Sequence, residues 1–408
     1  MTFSANSSLA LPRFLAPFFA ATSLLALPAL ADFNDAPPNA ASQQPAFAGQ
    51  TRAPVIAPQF NIETTVITDR LDSPWGMAIL PDGTALVTEK RGNLRRIAPT
   101  GEVSAPISSL PDVDARGQGG LLDVAIALDF AQTRQIWITF AEPRGSNENG
   151  TAVATGTLSQ DMTALENLRV IFQQQPAWAS DKHFGSRLVF GRDGSLFVTT
   201  GERSDREPRQ LAQDLTTHLG KVLRIDPQTG QAAPGNPQFV GVQAQPEIWS
   251  YGHRNLQAAA LDPATGQIWT VEHGPRGGDE LNHPEAGKNY GWPVITYGQE
   301  YSGAAVGQGR TQQDGLEQPV YYWDPVIAPS GMAFYQGAMF PEMQGDILIG
   351  GLQGQALVRL TVQGGRVTGE QRLAEGIGRV RDLDIAADGA VWMLIEDSGE
   401  LVRVSRAD

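Results

Sequence analysis

Beyond residue 59, apolar and polar residues alternate with a period of two, and the alternation returns as six versions of one phrase. The stretch 73–97, SPWGMAILPDGTALVTEKRGNLRRI, reads as a strand, a P-D-G turn, a second strand, a G-N turn and a third strand. The phrase recurs at 121–142 (LLDVAIALDFAQTRQIWITFAE), 185–202 (GSRLVFGRDGSLFVTTGE), 255–273 (NLQAAALDPATGQIWTVEH), 330–360 and 380–404 (VRDLDIAADGAVWMLIEDSGELVRV). Alternation broken by turn residues at fixed offsets predicts antiparallel hairpins. The helical period is almost absent, and its best stretch, 209–219, is short. Six hairpin units spaced by roughly 45 to 75 residues predict an all-β fold, a six-bladed β-propeller of four-stranded antiparallel blades. Residues 59–70 (QFNIETTVITDR) are placed to supply the outer strand that closes the ring beside the last unit. Two stacked sandwiches are the other all-β reading, and they leave the single repeated phrase unexplained.

The segments before the repeat read differently. Residues 1–31 carry one charge, Arg13, then an apolar run over 14–27 and a small-x-small ending, Ala29-Leu30-Ala31. That is the pattern of a secretory signal peptide cleaved after Ala31, and it predicts export to a bacterial periplasm. The run is shorter than the roughly 20 residues of a membrane span and is broken by Pro17 and Pro28. Residues 32–58, rich in Pro, Ala and Gln, predict a mobile leader, which leaves 59–408 as the propeller domain.

Composition narrows the chemistry. The 408 residues include no Cys, which excludes disulfides, thiolate metal sites and Cys nucleophiles. A net charge of −14, with no basic run, argues against nucleic acid as a partner. There is no G-x-S-x-G elbow, no Walker loop and no G-x-G-x-x-G opening a helix.

Polar residues at the entrances to the inner strands are the candidates for a site, because loops on a rigid scaffold carry chemistry. Gln118 precedes the second unit, His183 the third, His253, Arg254 and Asn255 the fourth, and Arg379 and Arg381 the sixth. In a propeller these entrances converge on one channel mouth, and three Arg there suit an anionic or electron-rich ligand. The segment 271–293, VEHGPRGGDELNHPEAGKNYGWP, adds carbonyl-presenting Gly and Pro with Asp279, Glu280, Asn282 and Glu285, hard oxygen donors of the kind Ca²⁺ prefers. Its spacing is not that of an EF-hand, so a solvated loop is the competing reading. His253, His273 and His283 lack the compact spacing of a zinc helix motif.

The phrases GQGGLLDV, HFGSRLVF, EIWSYGHRNLQ, EHGPRGGDELN, GKNYGWP, SGMAFY and RVRDL together resemble the soluble sugar dehydrogenases that use pyrroloquinoline quinone (PQQ), above all their periplasmic aldose sugar dehydrogenase branch. The resemblance implies PQQ and Ca²⁺ as cofactors, an aldose oxidised to a lactone, and electrons passed to an external quinone or cytochrome and not to oxygen. It implies His183 as general base, Arg254 and Asn255 at the reactive quinone edge, Gln118 beside cofactor and substrate, and Arg379 and Arg381 on cofactor carboxylates. The Gly274 and Pro275 carbonyls would ligate a cofactor-bound calcium, and Asp279, Glu280 and the Tyr290 carbonyl a second, structural one. One departure stands out: Gln353 occupies a cofactor-contacting position where the family commonly has Lys, and it brings no charge. Lys182, beside His183, adds a cation where relatives often have none. Two rival functions are a calcium-dependent propeller lactonase and a non-catalytic propeller that binds sugar or protein.

Overall fold

Each version of the repeated phrase folds as a sheet whose first strand is innermost. The computed structural model describes residues 1–2, 33–145 and 147–407. Two compact units divide the chain, Met1–Asp35 and Ala36–Asp408. In the first, the described residues form a single 3-10 turn, Phe33–Asp35, and the expected signal peptide otherwise lies outside the described residues. Among the described residues no helix is long and apolar enough to cross a membrane.

The second unit carries the propeller. Strand β1 (Ile62–Thr68) precedes the first blade, which holds β2 (Pro74–Ile79), β3 (Ala85–Glu89) and β4 (Asn93–Ile97). The second blade holds β5 (Leu121–Ile126), β6 (Gln135–Pro143), β7 (Asn149–Leu158) and β8 (Leu165–Gln173). The third holds β9 (Gly185–Phe190), β10 (Leu196–Thr200), β11 (Lys221–Ile225) and β12 (Ile248–Tyr251). The fourth holds β13 (Leu256–Leu261), β14 (Ile268–Glu272), β15 (Asp279–Asn282) and β16 (Tyr321–Trp323). The fifth holds β17 (Pro329–Phe334), β18 (Ile347–Gly351), β19 (Ala356–Gln363) and β20 (Arg366–Leu373). The sixth holds β21 (Val380–Ile385), β22 (Val391–Ile395) and β23 (Glu400–Arg406), with β1 as its outer strand. The expected closure by the 59–70 segment is therefore present, from Ile62 opposite Arg406 to Thr68 opposite Leu401. Among the described residues five blades have four strands and the first has three, with a single bridge, Ile97 to Val103, beyond β4.

The inner strands β2, β5, β9, β13, β17 and β21 touch in that order, and β21 returns to β2. In every blade the pairing of the first two strands slips near the entrance. Such irregularities turn side chains away from the regular pleat, and here they fall beside the channel. At the equivalent inner position the six units carry Gly76, Asp123, Arg187, Gln257, Gly331 and Asp382. Arg187 crosses from the third blade to the sixth, and its Nη1 donates to Asp123 Oδ1 at 2.8 Å and Asp382 Oδ2 at 3.0 Å. This buried triad fills the axis. The glycines leave room for it, since a Cβ on Gly76 would sit 2.9 Å from Asp123 Oδ1 and one on Gly331 2.3 Å from Asp382 Oδ1.

Residues 36–58 depart from the expected mobile leader. The Ala40 N–H donates to Asp324 Oδ2 at 3.0 Å, and the buried Gln50 side chain donates to the Pro319 carbonyl at 2.9 Å. The Ala53 N–H donates to the Tyr321 hydroxyl at 2.9 Å, and Val55 bridges Glu370. Amide and backbone hydrogen bonds hold this segment, and such contacts leave no apolar periodicity to read.

Candidate active site

His183 lies on the loop that enters β9, with its backbone in the left-handed region at φ 49°. Three neighbours hold it. Its N–H donates to Gln118 Oε1 at 2.8 Å, and its carbonyl accepts from Arg203 Nη1 at 3.2 Å. Its Nδ1 lies 3.2 Å from Glu202 Oε1. A carboxylate can only accept, so Nδ1 carries the proton and Nε2 presents a lone pair. Burial lowers the imidazole pKa; Glu202 opposes that shift, and the Arg254 charge adds to it. Burial pushes the Glu202 carboxyl up, yet His183, Arg254 and the Ser204 N–H together bring it below the usual carboxylate value. The neutral imidazole is thus the favoured form, as a general base requires. Lys182 turns outward and pairs with Asp181 at 3.4 Å.

Arg254 sits between β12 and β13, its N–H donating to Glu272 Oε2 at 2.6 Å. Its Nη1 donates to the His273 and Gly274 carbonyls at 2.8 and 2.7 Å, and its guanidinium lies over the Trp292 ring. Asn255 Oδ1 accepts from the Gly185 N–H at 3.2 Å, which ties the fourth blade to the His183 loop. His273 Nε2 lies 2.8 Å from the Pro329 carbonyl, so that nitrogen bears the hydrogen. Burial, with the nearby Arg381 and Arg254 charges, pushes the His273 pKa down to about 3 and keeps the ring neutral.

Two adjoining pockets of about 340 and 360 Å³ open here, sharing His273 and Ala328. Gln118, Asn255, Arg379 and Arg381 line the first. Gly274, Pro275, Asp279 and the exposed Gln353 line the second. The candidates from four blades therefore meet. Arg379 Nε donates to Glu396 Oε2 at 3.1 Å, and Arg381 Nη2 donates to both Glu396 oxygens at 3.0 Å. Arg381 Nη1 donates to Gln257 Oε1 at 3.0 Å. Among the described residues Arg254 Nε and Arg381 Nε are buried donors without a hydrogen-bond partner.

The expected metal ligands divide. Successive side chains on β15 face opposite ways, so Asp279 and Glu280 do not share a point. Asp279 Oδ1 accepts from the Gly274 N–H at 2.8 Å, and Oδ2 from the Ile327 and Ala328 N–H groups at 2.9 and 2.7 Å. Burial raises its pKa to about 7. Its oxygens are engaged in bracing the Gly274 turn and the chain at 327–328, which departs from the ligand role expected for it. Glu280 stands opposite Glu272 across the β14–β15 ladder, and Asn282 Nδ2 bridges them at 3.0 and 2.8 Å. Burial, then the neighbouring Glu272, raises the Glu280 pKa well above its usual value. Asn282 Oδ1 in the same cluster is buried without a partner. A hard cation fits this donor set. The Tyr290 ring stacks on His253 at 4.7 Å, and His253 Nδ1 lies 3.0 Å from Glu272, so Tyr290 borders the same cluster. Among the described residues no three His, Asp or Glu side chains converge as a metal site, so a calcium at either place would lean on carbonyls.

The family profile described as glucose/sorbosone dehydrogenase matches residues 71–403. The chain belongs to that family. Its members are close in sequence and in shape. The aldose sugar dehydrogenase YliI of Escherichia coli is 43% identical over 348 residues, covering 84% of this chain and 93% of that one. The apo crystal structure of the soluble aldose sugar dehydrogenase from Escherichia coli is 42% identical and superposes with a TM-score of 0.81, covering 85% of this chain and 100% of that one. The PQQ-bound aldose sugar dehydrogenase from Streptomyces coelicolor is 28% identical with a TM-score of 0.70, covering 86% and 100%.

Sequence reasoning passed over Glu202, Glu396 and the role of His273. A signal for the two glutamates was present. Glu89, Glu142, Glu202, Glu272 and Glu396 all stand near the end of the second strand of their units. Three of them hold a site residue in place: Glu202 holds His183, Glu272 holds Arg254, and Glu396 holds Arg379 and Arg381.

Proposed function

We propose that this protein is a PQQ-dependent aldose dehydrogenase that oxidises a sugar at its anomeric carbon to the lactone and passes electrons to an acceptor other than oxygen. The observation that carries this reading is the His183–Glu202 pair, with its free Nε2, beside a cationic pocket lined by Arg379 and Arg381. His183 Nε2 takes the anomeric hydroxyl proton, and the Nδ1–H contact with Glu202 steadies the imidazolium that results. Gln118 and Asn255 hold the His183 loop from both sides. Arg254, its Nη1 fixed by two carbonyls, is preset to meet negative charge that develops near it. Arg379 and Arg381, kept in orientation by Glu396, would hold carboxylates of PQQ, and the Gly274 and Pro275 carbonyls a calcium beside it. When bound, the quinone supplies the hydride acceptor and the calcium a Lewis acid. Export to the periplasm through residues 1–31 is part of the same proposal.

A lactonase would need carboxylates free to hold a metal on the axis. The axial Asp123 and Asp382 are engaged by Arg187, which disfavours it.

Reconstitution of purified apoprotein with PQQ and Ca²⁺, followed by an aldose panel with an artificial acceptor, tests the proposal. The expected result is a reduced-cofactor spectrum when sugar is added. Absence of both spectral change and turnover would favour the non-catalytic binding propeller.

A further inference from the structure

Lys90 lies just beyond β3, and its backbone is fixed between two blades. Its N–H donates to the Ser73 carbonyl at 3.1 Å, and its own carbonyl accepts from the Leu121 N–H at 3.0 Å. The side chain lines the same pocket as Arg379, Arg381 and Gln118. Its Nζ donates to the Gly117 carbonyl at 2.7 Å. An ammonium has three donors, and one protein bond leaves two for other partners. The charges facing it are Glu396 and Arg381.

The charge balance of this wall is telling. Lys90, Arg379 and Arg381 contribute three positive charges, and Glu396, already shared by the two arginines, contributes one negative. The excess suits a ligand with more than one carboxylate. Gln353, in the adjoining pocket, adds no charge. The Gly117 contact gives Lys90 a second reach, because the next residue, Gln118, accepts the His183 N–H. A ligand held by Lys90 would also be in register with the loop that carries the base.

We propose that Lys90 is the third cationic contact for the polycarboxylate cofactor, acting from the first blade beside the arginine pair of the sixth. This rests on the PQQ-dependent reading above. The test is calorimetric titration of PQQ into the purified chain with Ca²⁺, for the wild type, Lys90→Met and Lys90→Arg, at low and high salt. The expected result is a Kd about tenfold or more weaker for Lys90→Met, the size of one lost charged hydrogen bond. Its Kd should also depend less on salt, while Lys90→Arg stays near wild type. Melting of the cofactor-free variants monitors folding, and Lys90→Gln replaces Lys90→Met where the latter melts early. A wild-type chain that binds no PQQ would sink the functional reading and this inference with it. Wild-type binding matched within twofold by Lys90→Met, with the same salt dependence, would overturn the inference alone. So would an unchanged Kd with a raised sugar KM, which would give Lys90 to the substrate.

Discussion

His183 Nδ1 and Glu202 Oε1 lie 3.2 Å apart, joining the loop before β9 to the residue two past the end of β10. One unit of the repeat thus supplies both the proposed base and the carboxylate that sets its tautomer. The base needs its neutral form, so activity rises as pH passes the imidazole pKa. Glu202 holds that pKa up against burial. Glu202→Gln is therefore expected to lower kcat and to move the acidic limb of the pH–rate profile to lower pH. His183→Ala is expected to cost roughly 10²- to 10⁴-fold in kcat. Dye-linked aldose oxidation across pH 5 to 9 measures both, and a Glu202→Gln limb shifted upward would refute the assignment.

Arg187→Met should be strongly destabilising, by about 3–5 kcal/mol, because Asp123 and Asp382 lose their buried partner. The loss should grow with pH. Burial already raises Asp123 to about 7 and Arg187 holds it down, so the variant pushes it further up. Above its ordinary value near 3.8 the unfolded carboxyl is ionised while the folded one keeps its proton, and stability falls as pH rises. Urea denaturation at pH 5 and pH 8 should show the larger deficit at pH 8.

Removal of residues up to 68 takes β1 from the sixth blade and leaves β23 as an open edge. Unpaired strand edges recruit other chains. The truncated chain should melt earlier and elute as larger species than the intact chain in size exclusion, and an unchanged profile would argue that ring closure does not depend on β1.

Ca²⁺ should raise the melting midpoint of the apoprotein, since it offsets the repulsion between the buried Glu272 and Glu280. Glu280→Gln should abolish most of that rise. Asp279→Asn should lower the midpoint with or without the ion, because the carboxylate braces three backbone N–H groups. A calcium effect untouched by Glu280→Gln would place the ion elsewhere.

The blades were legible because a half-buried strand writes its burial into every second residue. The first unit's turns at Asp82-Gly83 and Gly92-Asn93 bound β3 as expected, and the outer strand at 62–68 closes the ring as expected. The anchoring of 36–58 is not legible in the sequence, because Gln50 and Asn39 hold it through hydrogen bonds to residues more than 260 positions away. Among the metal candidates, Asp279 looked like a ligand because residue type carries no record of where a carboxylate's oxygens point.

The order of residues alone determined a six-fold hairpin repeat, the polar entrances to its inner strands, and the family phrases that mark them. Those are local properties, set by alternation and turn chemistry within about 25 residues at a time. Only the closed ring decided which entrances face one another. It alone placed Arg187 across the axis between Asp123 and Asp382, Glu396 between two arginines, and Lys90 beside them. Electrostatic partnership depends on distance through space, and the chain brings these groups together only when the sixth blade meets the first.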